Sequence, residues 1–208
     1  MIDGIEEEIK LRPAAPTDAD ILAQLWMVSF PDKFGPVLGE NALPVLRDWL
    51  RLTQRYLRTT TIAETMGIIA GFIVVRTPAD PLRPDEGRWL WRALQLHYGL
   101  IGALRGLLLM MLIGDNHEPE AGEIYIEMLG VNPDWRGLGV AHRLLAYAES
   151  VATAQNIDRL TLTVVSDNYA AIRLYEKMGF KAQAAQRSRL LEWITGHPGY
   201  YDMVKRLR

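Results

Sequence analysis

The 208-residue chain has no cysteine. Disulfides, thiolate metal ligands and an acyl-cysteine intermediate are therefore excluded, and a reducing compartment suits the chain. There is no excess of either charge: 23 Lys and Arg against 25 Asp and Glu leave a net charge of −2. A general electrostatic attraction to nucleic acid is not expected. The N-terminal stretch Met1–Lys10 is acidic and lacks the apolar run of a secretory signal. A cytoplasmic location follows as the expectation. The most apolar stretch, Leu100–Ile113, contains Arg105 and is too short to span a bilayer. Internal repeats and low-complexity tracts are absent. The four histidines (His97, His117, His142 and His197) stand in no recognisable motif, so the sequence assigns none of them a catalytic role, and no metal site is expected.

What the chain does have is a 49% hydrophobic composition, enough for a substantial core, read as one domain over residues 1–208. Its most informative stretch is Val131-Asn-Pro-Asp-Trp-Arg136-Gly137-Leu138-Gly139-Val140-Ala141. It follows a strand-like run (123–131) and opens a helical pattern carried by Val140, Leu144, Ala148 and Val151. A glycine-containing turn entering a helix leaves several backbone N–H groups unpaired and pointing one way. With the helix dipole they form a site for phosphate or pyrophosphate. Gly137 and Gly139 allow the backbone to approach such an anion closely. Taken alone, the same pattern also fits a plain strand–turn–helix.

A second signal lies downstream. In Asn168–Phe180, Ala171, Leu174, Tyr175 and Met178 share one helical face, so Tyr175 points inward. Gly179 stops that helix, and Phe180 begins a strand.

The two stretches, Arg136-x-x-Gly139-x-Ala141 and Asn168-x-x-Ala171-x-x-Leu174-Tyr175-x-x-x-Gly179-Phe180, resemble the pyrophosphate loop and the C-terminal coenzyme A helix of the GNAT superfamily of N-acetyltransferases. The resemblance covers roughly residues 9–76 and 123–205. It implies an α/β (α+β) fold with a mixed, mostly antiparallel sheet flanked by helices, whose central parallel pair splays to admit the cofactor. It also implies acetyl-CoA as co-substrate and direct transfer to a primary amine of a small molecule or peptide. A non-catalytic acyl-CoA-binding regulatory module is the alternative.

Site residues follow from the same resemblance. The 136–141 turn (Arg136, Gly137, Leu138, Gly139, Val140, Ala141) would hold the pyrophosphate. Leu129 would present a backbone N–H to the thioester oxygen, and the strand through Val131 would pair with the pantetheine arm after splaying at Gly130-Val131. Asn168 either contacts the arm, caps its helix, or does both. Tyr175, with a pKa near ~10, is either the general acid toward the thiolate or a core residue. Glu123, Tyr125 and Glu127 alternate on one strand face. Glu127 is read as the general base or as a ligand for the acceptor ammonium, unless a partner neutralises it. Glu123, at the strand mouth, is a weaker candidate for the same role or is simply solvated.

The remaining elements are a strand over 9–13 and a helix opened by a capping box at Thr17–Asp20 with the stripe Ile21, Leu25, Val28. A helix over 43–58 and a hairpin about Met66-Gly67 follow. The core continues with a helix over 137–155, a strand over 160–165, the 168–178 helix, and strands from Phe180 and over 200–205. Residues 77–122 read as a mainly helical insertion. Three prolines in 78–84 indicate a loop, and Leu90, Leu94, His97, Ile101, Leu104, Leu108 and Met111 recur at helical spacing. Gly99, Gly102 and Gly106 imply a break or a close helix contact. The insertion then has three readings: a lid packed on its own domain (preferred), a homodimer contact, or a membrane-interface element (the least favoured).

Overall fold

The computed structural model describes residues 9–80, 86–113, 117–187 and 189–207. The acidic N-terminus, the prolines at 81 and 84, and part of the polar loop after Ile113 lie outside the described residues. Seven strands form one sheet: β1 (Lys10–Pro13), β2 (Thr60–Thr65), β3 (Ile68–Arg76), β4 (Glu123–Val131), β5 (Arg159–Val165), β6 (Lys181–Arg187) and β7 (Gly199–Arg206). Their order is β1-β2-β3-β4-β5-β7-β6. Only β4 and β5 run parallel; every other neighbouring pair is antiparallel. The helices are α1 (Ala19–Ser29), α2 (Pro31–Leu38), α3 (Ala42–Leu52), α4 (Gln54–Thr59), α5 (Glu86–Ile113), α6 (Val140–Ala154), α7 (Tyr169–Lys177) and α8 (Arg189–Thr195). Two of these, α2 and α8, were not anticipated from the sequence.

Two apolar cores lie on opposite faces of the sheet. One joins α1, α3 and the first half of α5 around Trp26, whose ring meets those of Phe34, Trp49 and Tyr56. The other joins α6 to the sheet through Val140, Leu144 and Ala148, and reaches Tyr175 and Phe180. Trp26 and Trp49 are both buried in this core. Of the expected α1 stripe, Leu25 is buried and Ile21 partly so, while Val28 is exposed; Leu22, Ala23 and Trp26 complete the inward face. A tight turn at Pro16–Asp18 delays the helix to Ala19. There the Asp18 carboxylate, bound by Arg12, accepts the Ala15 N–H at 2.7 Å in place of the expected Thr17 cap. The expected 43–58 helix is divided at Thr53, which is extended (φ −99°, ψ 110°).

Two features of β4 position the site. Val74 pairs with Met128 and Val75 with Ile126, so Glu127 is an extra residue bulged out of the ladder. A bulge re-aims side chains. Ile124 and Ile126 face the α6 core, Met128 faces the opposite core, and Leu129 and Val131 return to the α6 side. Strict alternation would have kept Met128 with Ile126. Pairing with β5 stops at Ile126–Leu162. The strands therefore part from Glu127 onward, earlier than the expected Gly130-Val131, because the bulge bends β4 away.

The segment after β3 is helical, as read. Gly99 (φ 65°, ψ −170°) breaks it into two arms. A Cβ on Gly106 would lie 2.9 Å from a Leu94 methyl, so the second arm folds back on the first. The break and the close contact both occur. Leu90, Ala93 and Leu94 of the first arm are buried against the α1–α3 core, and His97 bonds Asp48 of α3 at 2.8 Å.

Candidate active site

From Glu127 to Val131 the β4 edge facing β5 is open, roughly 15 Å of backbone at about 3.3 Å per residue. Beneath it lies a cleft of about 1100 Å³ whose walls include Glu123, Glu127, Leu129, Asn168 and Tyr175. At the far end, β4 runs through Val131 and a turn at Pro133–Trp135 into the N-terminus of α6. Gly137 (φ 76°) and Gly139 (φ 81°) are left-handed, a conformation that disfavours any side chain. The Arg143 N–H bonds the Gly139 carbonyl, so the first helical bond begins only there. Among the described residues no protein acceptor takes the N–H groups of 137–142. Nothing lies within 4 Å of where a Gly137 Cβ would sit. An oxyanion group fits this nest. The turn itself is not part of the cleft wall: it continues the open edge rather than facing Tyr175.

Asn168 caps α7, its Oδ1 accepting the Ala171 N–H at 3.1 Å. Its amide NH₂ can still donate to a ligand in the cleft. Tyr175 is 8% exposed and packs edge-on to Phe180, and its hydroxyl makes no hydrogen bond among the described residues. Burial pushes its pKa up from 10 to about 12, above the ordinary value expected from the sequence.

The bulge delivers Glu127 to Arg55 and Tyr56. Arg55 Nη2 donates to Oε2 at 2.8 Å, the Tyr56 hydroxyl donates to Oε1 at 3.0 Å, and Arg76 Nε lies 3.6 Å from Oε2. The side chains of Arg55 and Glu127 are each 6% exposed and that of Arg76 is fully buried. Glu127 therefore has the partners that a buried carboxylate requires.

Glu123 is buried rather than solvated. Its Oε1 lies 2.8 Å from His117 Nε2 and accepts the Thr161 hydroxyl; its Oε2 accepts the Glu120 N–H at 3.0 Å and lies 3.4 Å from Arg159. Burial pushes its pKa up, but the bonds from Thr161, Glu120 and His117 outweigh burial and hold it below the ordinary carboxylate value. The His117 ring lies over Tyr125 at 4.5 Å, its carbonyl accepts Arg76 Nη1 at 2.7 Å, and it lines the cleft. Arg76 thus joins the Glu127 group to the His117–Glu123 pair. Sequence reasoning missed His117, Arg55 and Arg76. The one available signal was Arg76, a charge ending the otherwise apolar run of β3.

The chain matches the model of the acetyltransferase (GNAT) family over residues 20–180. It belongs to the GNAT family. A curated acetyltransferase of Yersinia pestis is 32% identical over 84 residues, 40% of this chain and 57% of that protein. The match thus spans just over half the length of that relative. Among solved structures, an acetyltransferase superposes with TM-score 0.67 at 24% identity, covering 96% of this chain and all of the other. An N-acetyltransferase from Thermoplasma acidophilum, solved in complex with coenzyme A, superposes with TM-score 0.59 at 14% identity, covering 95% and 98% of the two chains. The mixed, mostly antiparallel sheet with its central parallel pair is the fold these proteins share with this chain.

Proposed function

We propose that this chain transfers an acetyl group from acetyl-CoA directly to a primary amine of a small molecule or peptide. The observation that carries the reading is the continuity of one open edge: the orphan N–H nest at 137–142 leads along β4 from Val131 to Glu127 and ends at the cleft containing Tyr175. The acetyl-CoA supplies an acetyl thioester. The nest receives its pyrophosphate, the free backbone groups of Glu127–Val131 pair with its amides as an added strand would, and the Asn168 amide donates to the arm. The Leu129 N–H faces the thioester oxygen and stabilises the charge that develops there.

Two proton movements remain. Tyr175, kept protonated by burial, donates to the departing thiolate. The amine must lose its proton, and His117 is the better acceptor. With Glu123 held ionised, Nε2–H donates to Oε1 and the ring is fixed against the cleft wall. Glu123 acts through His117 as a positioning residue. Glu127, committed to Arg55 and Tyr56, is a fixed part of the cleft wall rather than a free base.

The test is a panel of amines (polyamines, amino acids, aminoglycosides and peptides) incubated with acetyl-CoA while released thiol is read. The expected result is amine-dependent release with at least one acceptor class. Tight acetyl-CoA binding without release for any amine would replace the enzyme reading with that of a binding module.

A further inference from the structure

The outer arm of α5 is apolar almost all round. Ala103, Gly106 and Met110 face inward. Leu100, Ile101, Leu104, Leu108, Met111 and Leu112 are between 53% and 87% exposed. At 100° per residue these six fall within a ~120° sector, with Arg105 at its rim. A helix apolar on every side is ordinarily buried on every side, and among the described residues this one is covered only on its inner face.

Charge identifies the cover. α5 carries Arg88, Arg92 and Arg105 against one acidic residue, Glu86 at its start, in a chain whose net charge is −2. All three arginines are exposed. The nearest acid on the supporting helix α3, Asp48, is already bonded to His97 and Arg47. By length and composition Gly87–Leu112 could cross a membrane, with mean hydropathy 1.3. The break at Gly99 removes that option: each arm is about 13 residues, roughly 20 Å, against a hydrocarbon core of about 30 Å. Two short arms folded together can lie in an interface but cannot span it.

We infer that the outer arm of α5 docks this protein on an anionic lipid bilayer. The six apolar side chains enter the acyl boundary, and the arginine stems lie along it with their heads at the phosphates. Leu112 also lines the catalytic cleft, so the docked face begins at the cleft rim.

The experiment is co-sedimentation of the full chain with phosphatidylcholine vesicles containing or lacking phosphatidylglycerol. Binding should require the anionic lipid and weaken as salt is raised. The pair Ile101→Glu and Leu108→Glu should lower partitioning more than tenfold. Arg88→Gln, Arg92→Gln and Arg105→Gln should each lower it about fivefold, equivalent to about 1 kcal/mol per cation. All five positions are exposed, and unchanged acetyl-CoA affinity verifies folding. No sedimentation with anionic vesicles would overturn the inference. So would light scattering that shows a dimer dissociated by Ile101→Glu and Leu108→Glu with no vesicle binding, because a second copy would then cover the face.

Discussion

His117 Nε2 lies 2.8 Å from Oε1 of the buried Glu123, and this contact joins the loop before β4 to the floor of the cleft. The carboxylate is saturated by Thr161, Glu120 and Arg159 as well, so it orients the imidazole without competing with it for protons.

His117→Gln should therefore lower kcat and flatten the acidic limb of the pH–rate profile, with little change in KM for acetyl-CoA. General-base catalysis contributes about 10²–10⁴-fold. A variant that retained the wild-type limb would remove His117 from the proton path.

Glu123→Gln should act on stability with a defined pH dependence. The folded-state pKa of Glu123 lies below its ordinary value of 4.5. Its ionised form thus contributes stability that is present above about 4.5 and is lost as pH falls through the folded value. In melting curves across pH, the deficit of Glu123→Gln should be largest near neutrality and should shrink in acid. A deficit constant down to the lowest pH would show that ionisation of Glu123 is not coupled to folding.

Tyr175→Phe should cut kcat within the same 10²–10⁴-fold range while preserving acetyl-CoA affinity, since the ring keeps its packing on Phe180. With its pKa at about 12, Tyr175 stays protonated across the working range, so the basic limb should keep its position in the variant. A basic limb that moved would show Tyr175 titrating within that range.

Glu127→Gln leaves Arg55 and Arg76 facing each other without their shared carboxylate. Removing one partner of a buried pair costs about 3–5 kcal/mol, and the melting temperature should fall by roughly 10 °C. An unchanged melting temperature with a displaced acidic limb would instead make Glu127 the base.

The sequence was legible where local rules decide. The turn at 136–141, the Asn168 cap, the inward face of Tyr175 and the Met66-Gly67 hairpin all depend on residues within a few positions of one another. Where structure depends on distant partners, local patterns ran out. The bulge at Glu127 is set by its register with Val74 and Val75, and it places the splay at Glu127 rather than at Gly130-Val131. His117 sits in an aperiodic loop, and only the folded chain brings it to Glu123. The α5 helix was readable from its spacing, but the fold-back at Gly99 reverses which residues are covered: Leu90 and Leu94 are buried, while Ile101, Leu104 and Leu108 from the same stripe are exposed.

The central claim is that acetyl-CoA enters on the nest at the start of α6, and calorimetry of Gly139→Val tests it most directly. Gly139 is left-handed at φ 81°, where a branched side chain is strained and would occupy the anion's approach. The variant, shown to be folded by circular dichroism, should bind acetyl-CoA at least a hundredfold more weakly than wild type. Wild-type affinity in the folded variant would contradict the account and place the cofactor elsewhere.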